Sequence, residues 1–199
     1  MLELLAGSGL AVAAGLNAYV PLLVLGLSGR FLEFVELPAA WAWLSNEWVL
    51  VILGVLLVIE LIADKVPVVD TINDWLQTVI RPAAGGIAFG TGAATETAVI
   101  TDPAAFFSSN AWVPVAIGVV LALVTHAAKA LTRPVLNAAT AGVAAPIAST
   151  AEDLSSIGLS LLAILLPVLV VIALGGLLVV AVVMIRRMRR RRNAATASG

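Results

Sequence analysis

An amphipathic segment at residues 59–82, set between two strongly apolar runs, most constrains how this chain can fold. It reads IELIADKVPVVDTINDWLQTVIRP: an apolar run gains Glu60 and Asp64, then alternates polar and apolar side chains at helical spacing, and ends at Arg81-Pro82. The runs on either side are apolar enough to enter a bilayer. The segment therefore predicts an interfacial helix over residues 66–80, between two membrane spans.

The composition of the whole chain also indicates a membrane protein. Of its 199 residues, 61% are hydrophobic and 12% are charged, and the mean hydropathy is +1.09. One soluble core of this size could not bury so much apolar side chain. The absence of cysteine excludes a disulfide framework and a cysteine-ligated zinc site.

Six transmembrane helices are predicted in a single domain, residues 1–185, which is followed by a basic, disordered cytoplasmic tail at 186–199. A helix rises about 1.5 Å per residue, and the hydrocarbon core is about 30 Å thick. The fold class is therefore all-α, a polytopic membrane helix bundle. Asn17 and Pro21 interrupt the first span and predict a kink or an unwound turn. The predicted spans are residues 4–28, 48–64, 83–101, 112–131, 135–151 and 157–185.

The distribution of basic residues predicts the orientation. Six of the eleven lie between Arg186 and Arg192, and placing this run in the cytoplasm leaves only Arg30 outside. Both termini are then cytoplasmic, and Glu152 and Asp153 lie outside. The Arg run is expected to contact anionic lipids of the bacterial inner membrane. No nucleic-acid partner is expected, and a homo-oligomer is left open.

An internal repeat is predicted at an offset of 64 residues. WVLVILGVLLVIELIADK at 48–65 pairs with WVPVAIGVVLALVTHAAK at 112–129 at eight of eighteen positions, and Arg81-Pro82 pairs with Arg133-Pro134 further on. Apolar segments align by chance, but Trp, Lys and Arg-Pro in one order are not explained by apolar composition. The chain is interpreted as tandem two-helix repeats that share one orientation, with their Gly/Ala-rich helices at the centre.

Ionisable residues on two predicted spans form the first candidate site. Glu60 and Asp64, four residues apart, share one face of the second span, and His126, Lys129 and Arg133 share a stripe of the fourth. Because charges in a membrane are costly, we expect the acidic stripe to face the basic one. The pairing would form either a proton or ion relay, with His126 titrating, or an ion-paired staple between helices.

The polar face of the predicted interfacial helix is the second candidate. Asp70 and Asp74 share this face with Arg81, and their carboxylates could hold Mg²⁺ or Ca²⁺ beside a phosphate head group. No known metal-loop spacing is matched, and a solvated polar face explains the same pattern. The metal is therefore unknown, and no cofactor is predicted. Asn17, on the interrupted first span, is a further candidate for lining a substrate path.

Two segments, GLNAYVPLLVLGLSGR and ELIADKVPVVDTINDWLQTVIRPAAGG, and the small-residue runs after them resemble a family of small bacterial inner-membrane proteins known as domain of unknown function 4126. The resemblance covers most of the chain up to about residue 150. It implies an integral membrane protein and no established substrate.

The leading functional hypothesis is a small transporter or channel-like protein for a small solute or a lipid head group, with polar access through Glu60, Asp64, His126 and Lys129. The alternative is a non-catalytic membrane scaffold or partner subunit. A third hypothesis is a Mg²⁺-dependent lipid-phosphate enzyme. No Ser-His-Asp, Walker, Rossmann or HExxH pattern is present, which weighs against an enzyme.

Overall fold

The computed structural model describes residues 1–64, 67–93, 110–140 and 143–197. These residues form seven α-helices and one short 3₁₀ helix, Ala39–Ser45, with no β-strand among them, which confirms the all-α class. The α-helices in chain order are α1 (Leu2–Leu16), α2 (Tyr19–Phe31), α3 (Glu47–Ala63), α4 (Pro67–Gly92), α5 (Trp112–Thr140), α6 (Ala144–Leu165) and α7 (Pro167–Ala197).

Asn17 ends α1 and starts α2, so the predicted first span is not one continuous helix. Its backbone is extended, with φ −145° and ψ 122°. Its Oδ1 accepts hydrogen bonds from the backbone N–H groups of Tyr19 and Val20 at 3.1 and 3.2 Å. An Asn side chain that binds the first free N–H groups of a helix is a favourable cap. The predicted interruption at Asn17 is therefore a complete break.

The chain folds back at this break. Gly7 of α1 lies against Phe89 near the end of α4, and Gly90 of the same helix contacts Trp41 of the 3₁₀ helix. Gly26 of α2 lies against Leu44 of that 3₁₀ helix. Thus α2 returns toward the end of the bundle at which α1 begins.

The predicted interfacial helix does not end before the predicted third span, since α4 continues through Pro82 as far as Gly92. Its polar face also points inward: Gln77 and Arg81 are buried, whereas Trp75 and Val79 are 79% and 74% exposed. This orientation corrects the expectation of a solvated polar face. Polar side chains turn toward protein when lipid surrounds a helix, because lipid offers them no hydrogen-bond partner.

The predicted fourth, fifth and sixth spans are also divided differently. Helix α5 passes Arg133 and runs to Thr140. Helix α6 ends at Leu165, and a single residue, Leu166, separates it from Pro167, where α7 begins. Proline lacks a backbone N–H and disfavours a helical residue before it, which explains the break at Leu166. The predicted disordered tail instead continues α7 as a helix to Ala197.

Small residues let the central helices approach closely. Gly85 of α4 and Gly118 of α5 meet backbone to backbone, and Gly15 of α1 lies against Ala122 and Thr125 of α5. Close backbone approach of this kind is typical of helices packed in membranes. Helices α1, α4 and α5 therefore form the centre, with α6 packed against α1.

Two helical segments within the described parts of the chain are long and apolar enough to cross a membrane, Trp112–Pro134 and Ala145–Leu165. A third is counted if the 3₁₀ helix and α3, which are bent by 66° relative to each other, form one span. The segments Leu2–Leu16, Tyr19–Phe31 and Pro167–Val179 are apolar but shorter. These findings are compatible with a membrane protein.

Candidate functional site

Ionisable side chains from four helices converge at the end of the bundle where α1 gives way to α2. We call this group the ion cluster. Its members are Glu60 and Asp64 from α3, Arg81 from α4, His126, Lys129 and Arg133 from α5, and Glu152 from α6. The side chain of Glu152 is 19% exposed, and each of the other six residues is at most 5% exposed.

Arg81, which is fully buried, links the acidic helix to the histidine. Its Nη2 donates to Glu60 Oε1 at 2.8 Å and lies 4.0 Å from Asp64 Oδ2. Its Nη1 lies 3.2 Å from His126 Nδ1. Because a guanidinium can only donate, Nδ1 accepts, which assigns a neutral imidazole with its proton on Nε2. That N–H then donates to Thr78 Oγ1 at 3.1 Å.

Asp64 holds the other half of the cluster. Its Oδ2 lies 3.5 Å from Lys129 Nζ and 3.3 Å from Arg133 Nη2, and its Oδ1 accepts from Asn73 Nδ2 at 2.9 Å. Lys129 and Arg133 also bind the carboxylate of Glu152, at 2.8 and 3.0 Å. Each of these two cations is therefore shared by carboxylates from two helices.

The ion pairs of Glu152 do not fit the side of the membrane that the sequence predicts for this residue. Glu152 was expected on the opposite side of the membrane from Lys129 and Arg133, yet it binds both. The chain between Arg133 and Glu152 must therefore leave this level and return to it. Within the predicted span at residues 135–151, the residues up to Thr140 continue α5 and those from Ala144 onward belong to α6.

A second polar contact ties the α1–α2 break to the cluster. Asn17 Nδ2 donates to Asp153 Oδ1 at 3.0 Å, and both side chains are buried. Lys129 Nζ lies 3.4 Å from the carbonyl oxygen of Leu16, and Ser156 Oγ donates to the carbonyl of Ala13 at 2.9 Å. The Ala13 carbonyl also accepts from the Asn17 backbone N–H, whereas Lys129 offers a donor to the Leu16 carbonyl, which lies at the end of α1 and has no intrahelical partner.

The structure brings most of the predicted site residues together. Glu60 and Asp64 face His126 and Lys129, as expected from the two helical stripes, and Asn17 lies beside them. Their role remains a prediction. Arg81, assigned from the sequence to a surface group, belongs to the ion cluster instead. The side chains of its two expected partners, Asp70 and Asp74, lie outside the described residues.

Glu152 and Asp153 were not identified as site residues from the sequence, and Gln77 was placed only on the polar face that carries Asp70, Asp74 and Arg81. Gln77 lies four residues before Arg81, so its position on the buried face follows once the burial of Arg81 is known. Glu152 and Asp153 carried a weaker signal. They follow a run of only 17 residues that also contains Asn137 and Pro146, a poor candidate for a membrane span.

The cluster combines carboxylates, which are proton acceptors, with a neutral imidazole and fixed cations in a largely buried place. Among the residues that the structure describes, no three His, Asp or Glu side chains are arranged to hold a metal ion. A surface pocket of about 780 Å³ lies elsewhere, between the end of α2 and the 3₁₀ helix, lined by residues that include Arg30, Leu37 and Ser45. None of its lining residues belongs to the ion cluster.

Comparison with known protein families found one matching model, described as Domain of unknown function (DUF4126), over residues 4–187. Comparisons with curated proteins and with solved structures found no match.

Proposed function

This chain belongs to the DUF4126 family, whose function is unknown, and we propose that it is a small multi-pass membrane transporter that passes a small solute or a lipid head group by way of the ion cluster. The observation that supports this most is Arg81, fully buried between Glu60 and His126. A protein in which well-packed apolar side chains replace a buried ion pair is often as stable as the original. Stability alone therefore does not account for the pair, and ionisable groups inside membrane proteins commonly mark solute or proton pathways.

The proposed topology has the ion cluster near the cytoplasmic surface. Lys129 and Arg133 lie in the cluster and the Arg186–Arg192 run lies in the last part of α7, so we place both groups on the cytoplasmic side, as the positive-inside rule favours. Helix α1 approaches the cluster from the opposite end, because Gly7 lies against Phe89 whereas Leu16 contacts Lys129. The N-terminus is then outside and the C-terminus inside, which requires an odd number of crossings instead of six.

The contacts also support the proposed tandem repeat. Helices α3 and α5 both run toward the ion cluster, and α4 and α6 both leave it. The segments that the 64-residue offset pairs, in α3 and α5, therefore run in one direction, which is compatible with the proposed repeat.

The closed cluster corresponds to an occluded state in this proposal. A solute can reach it only when the helix ends around it separate. We assign this opening to the α1–α2 break, where it would have to release the bonds from Asn17 to Asp153, from Lys129 to the Leu16 carbonyl and from Ser156 to the Ala13 carbonyl. Breaks in membrane helices often lie at such sites.

Cysteine accessibility tests the proposal without knowledge of the solute. The chain has no cysteine, so a single introduced thiol gives an unambiguous signal. Ser156 is fully buried one turn from Asp153, and Thr150 is exposed. In inside-out vesicles, a membrane-impermeant maleimide should label Thr150→Cys at once and Ser156→Cys slowly but completely. If Ser156→Cys stays unlabelled while Thr150→Cys reacts, the cluster does not open and the transporter proposal fails.

A membrane scaffold is the second candidate, favoured by the saturation of the cluster with ion pairs in a sealed site. It predicts an unlabelled Ser156→Cys together with a companion protein that crosslinks in vivo and co-purifies at fixed stoichiometry. The lipid-phosphate enzyme has less support. Arg81, the basic residue expected beside the phosphate head group, is already paired with Glu60. Turnover of a phospholipid that EDTA abolishes would be needed to revive it.

A further inference from the structure

One ammonium group joins the α1–α2 break to the carboxylates of the ion cluster. Lys129 Nζ lies 2.8 Å from Glu152 Oε2 and 3.5 Å from Asp64 Oδ2. The same nitrogen lies 3.4 Å from the carbonyl oxygen of Leu16. The three oxygens belong to α6, α3 and α1. Because an ammonium group has three N–H donors and no acceptor, one oxygen from each of three helices uses all of its donors.

The carbonyl oxygen in this set lies where a helix is interrupted. Leu16 is the last residue of α1, and Asn17 after it has an extended backbone. The carbonyl end of a helix carries a partial negative charge, and the broken helices of transporters bind cations with such ends. Lys129 is only 5% exposed, so the place is largely closed to solvent. The three oxygens therefore surround a place suited to a small cation, which the protein's own ammonium group fills.

The charges around this place require a monovalent cation. Asp64 and Glu152 carry two negative charges, and Arg133 Nη2 lies 3.3 and 3.0 Å from the same two oxygens. Arg81 is 4.0 Å from Asp64 Oδ2 but is paired at 2.8 Å with another carboxylate. One negative charge is therefore left for Lys129 to balance. A divalent ion in its place would add an uncompensated charge inside an apolar bundle, which is costly.

We propose that the Leu16 carbonyl and the carboxylates of Asp64 and Glu152 form a binding site for the primary ammonium group of a small amine, and that Lys129 fills this site in the closed state. An incoming amine takes the place of the Lys129 ammonium, which withdraws toward the surface on its flexible stem. Because the amine is not attached to α5, this exchange releases the tie between the break and that helix, and binding favours the open state. The amine as solute rests on the transporter function proposed above, whereas the cation site itself does not.

Removal of the ammonium group tests the site without transport. The full-length Lys129→Ala protein in detergent should unfold at a lower temperature than wild type, and methylammonium chloride should restore much of this loss. N-methylglucamine chloride at the same concentration should not, because its cation is too large for the site. Lys129→Met is the matched control: its apolar side chain fills the space without a charge, so methylammonium should not restore its unfolding temperature.

Two results would overturn the site. In the first, methylammonium raises the unfolding temperature of Lys129→Ala no more than that of wild type. In the second, NaCl restores Lys129→Ala and methylammonium does not, which would favour an alkali ion. If Lys129→Ala does not fold by itself, the yield of monodisperse protein from cells grown with methylammonium decides the question: recovery supports the site, and no recovery overturns it.

Cysteine labelling separates this inference from the transporter proposal. In Ser156→Cys with Lys129 intact, methylammonium should raise the labelling rate above that in N-methylglucamine, and Thr150→Cys corrects for effects of the salts on the maleimide reaction. Rescue of Lys129→Ala together with an unlabelled Ser156→Cys would retain the cation site and remove the transporter. A labelled Ser156→Cys with equal rates in both salts, and no rescue of Lys129→Ala, would retain the transporter and remove the amine site.

Discussion

Replacement of Arg81 by methionine tests whether charge compensation holds the ion cluster together. Methionine keeps much of the side-chain volume and removes the charge. Glu60 then loses the cation bound at 2.8 Å, and His126 Nδ1 loses the donor at 3.2 Å. Removing one partner of a buried ion pair costs about 3–5 kcal/mol, and a buried acceptor without a donor costs about 1–3 kcal/mol. We expect Arg81→Met to lose about 4–8 kcal/mol of unfolding free energy.

The double variant Glu60→Met/Arg81→Met should recover most of this loss. It removes the uncompensated carboxylate and leaves only the His126 acceptor without its donor, so its remaining cost is about 1–3 kcal/mol. The difference between single and double variants, about 3–5 kcal/mol, corresponds to about 6–20 °C in unfolding temperature for a chain of this size. Thermal unfolding in detergent, followed by size exclusion, measures it.

Arg30→Met is the matched control. Arg30 pairs with Glu47 at 3.5 Å, but the two side chains are 38% and 75% exposed. An exposed pair contributes about 1 kcal/mol or less. The reasoning is refuted if Arg81→Met and Arg30→Met unfold at the same temperature, or if the double variant is no more stable than Arg81→Met.

Three further predictions follow from packing, capping and topology. Gly118→Ala should lower the free energy of unfolding by about 1–3 kcal/mol, because its Cβ would collide with the α4 backbone. Gly54→Ala is the control: its Cβ would point into open space, so it should raise the free energy of unfolding by about 0.5–1 kcal/mol in the same thermal assay. Asn17→Ala should cost about 1–3 kcal/mol more than Asn46→Ala, since both remove a helix cap but only the first breaks a buried bond to α6; equal losses would contradict this. Alkaline phosphatase and fluorescent reporters should place the two termini on opposite sides of the membrane, and two cytoplasmic termini would restore the six-span topology.

The pairing of charges could be predicted because it depends on local geometry and one general cost. Residues four apart on a helix share a face, so Glu60 and Asp64 had to act together. A charge in an apolar bundle needs a partner, and the basic residues on the predicted fourth span offered one. These two arguments suffice to bring Asp64 and Lys129 together, and the structure places them 3.5 Å apart.

Arg81 and Glu152 could not be assigned in this way. Helical periodicity shows that α4 has a polar face but not whether this face meets water or protein, and that choice put Arg81 in the wrong group. The run of 17 residues at 135–151 is likewise compatible with a short membrane span or with a turn between two helices. Only the contact of Glu152 with Arg133 distinguishes the two.

The sequence by itself determined the properties that act over one or two helical turns: helical structure, apolar surface, the interruption at Asn17 and the need to compensate buried charge. The tertiary structure decided the direction of each helix and the identity of each partner. Asn17 and Asp153 are separated by 136 positions, and no periodicity links residues so far apart. Their contact depends on where the chain turns back, and that is fixed by the packing of all the helices together.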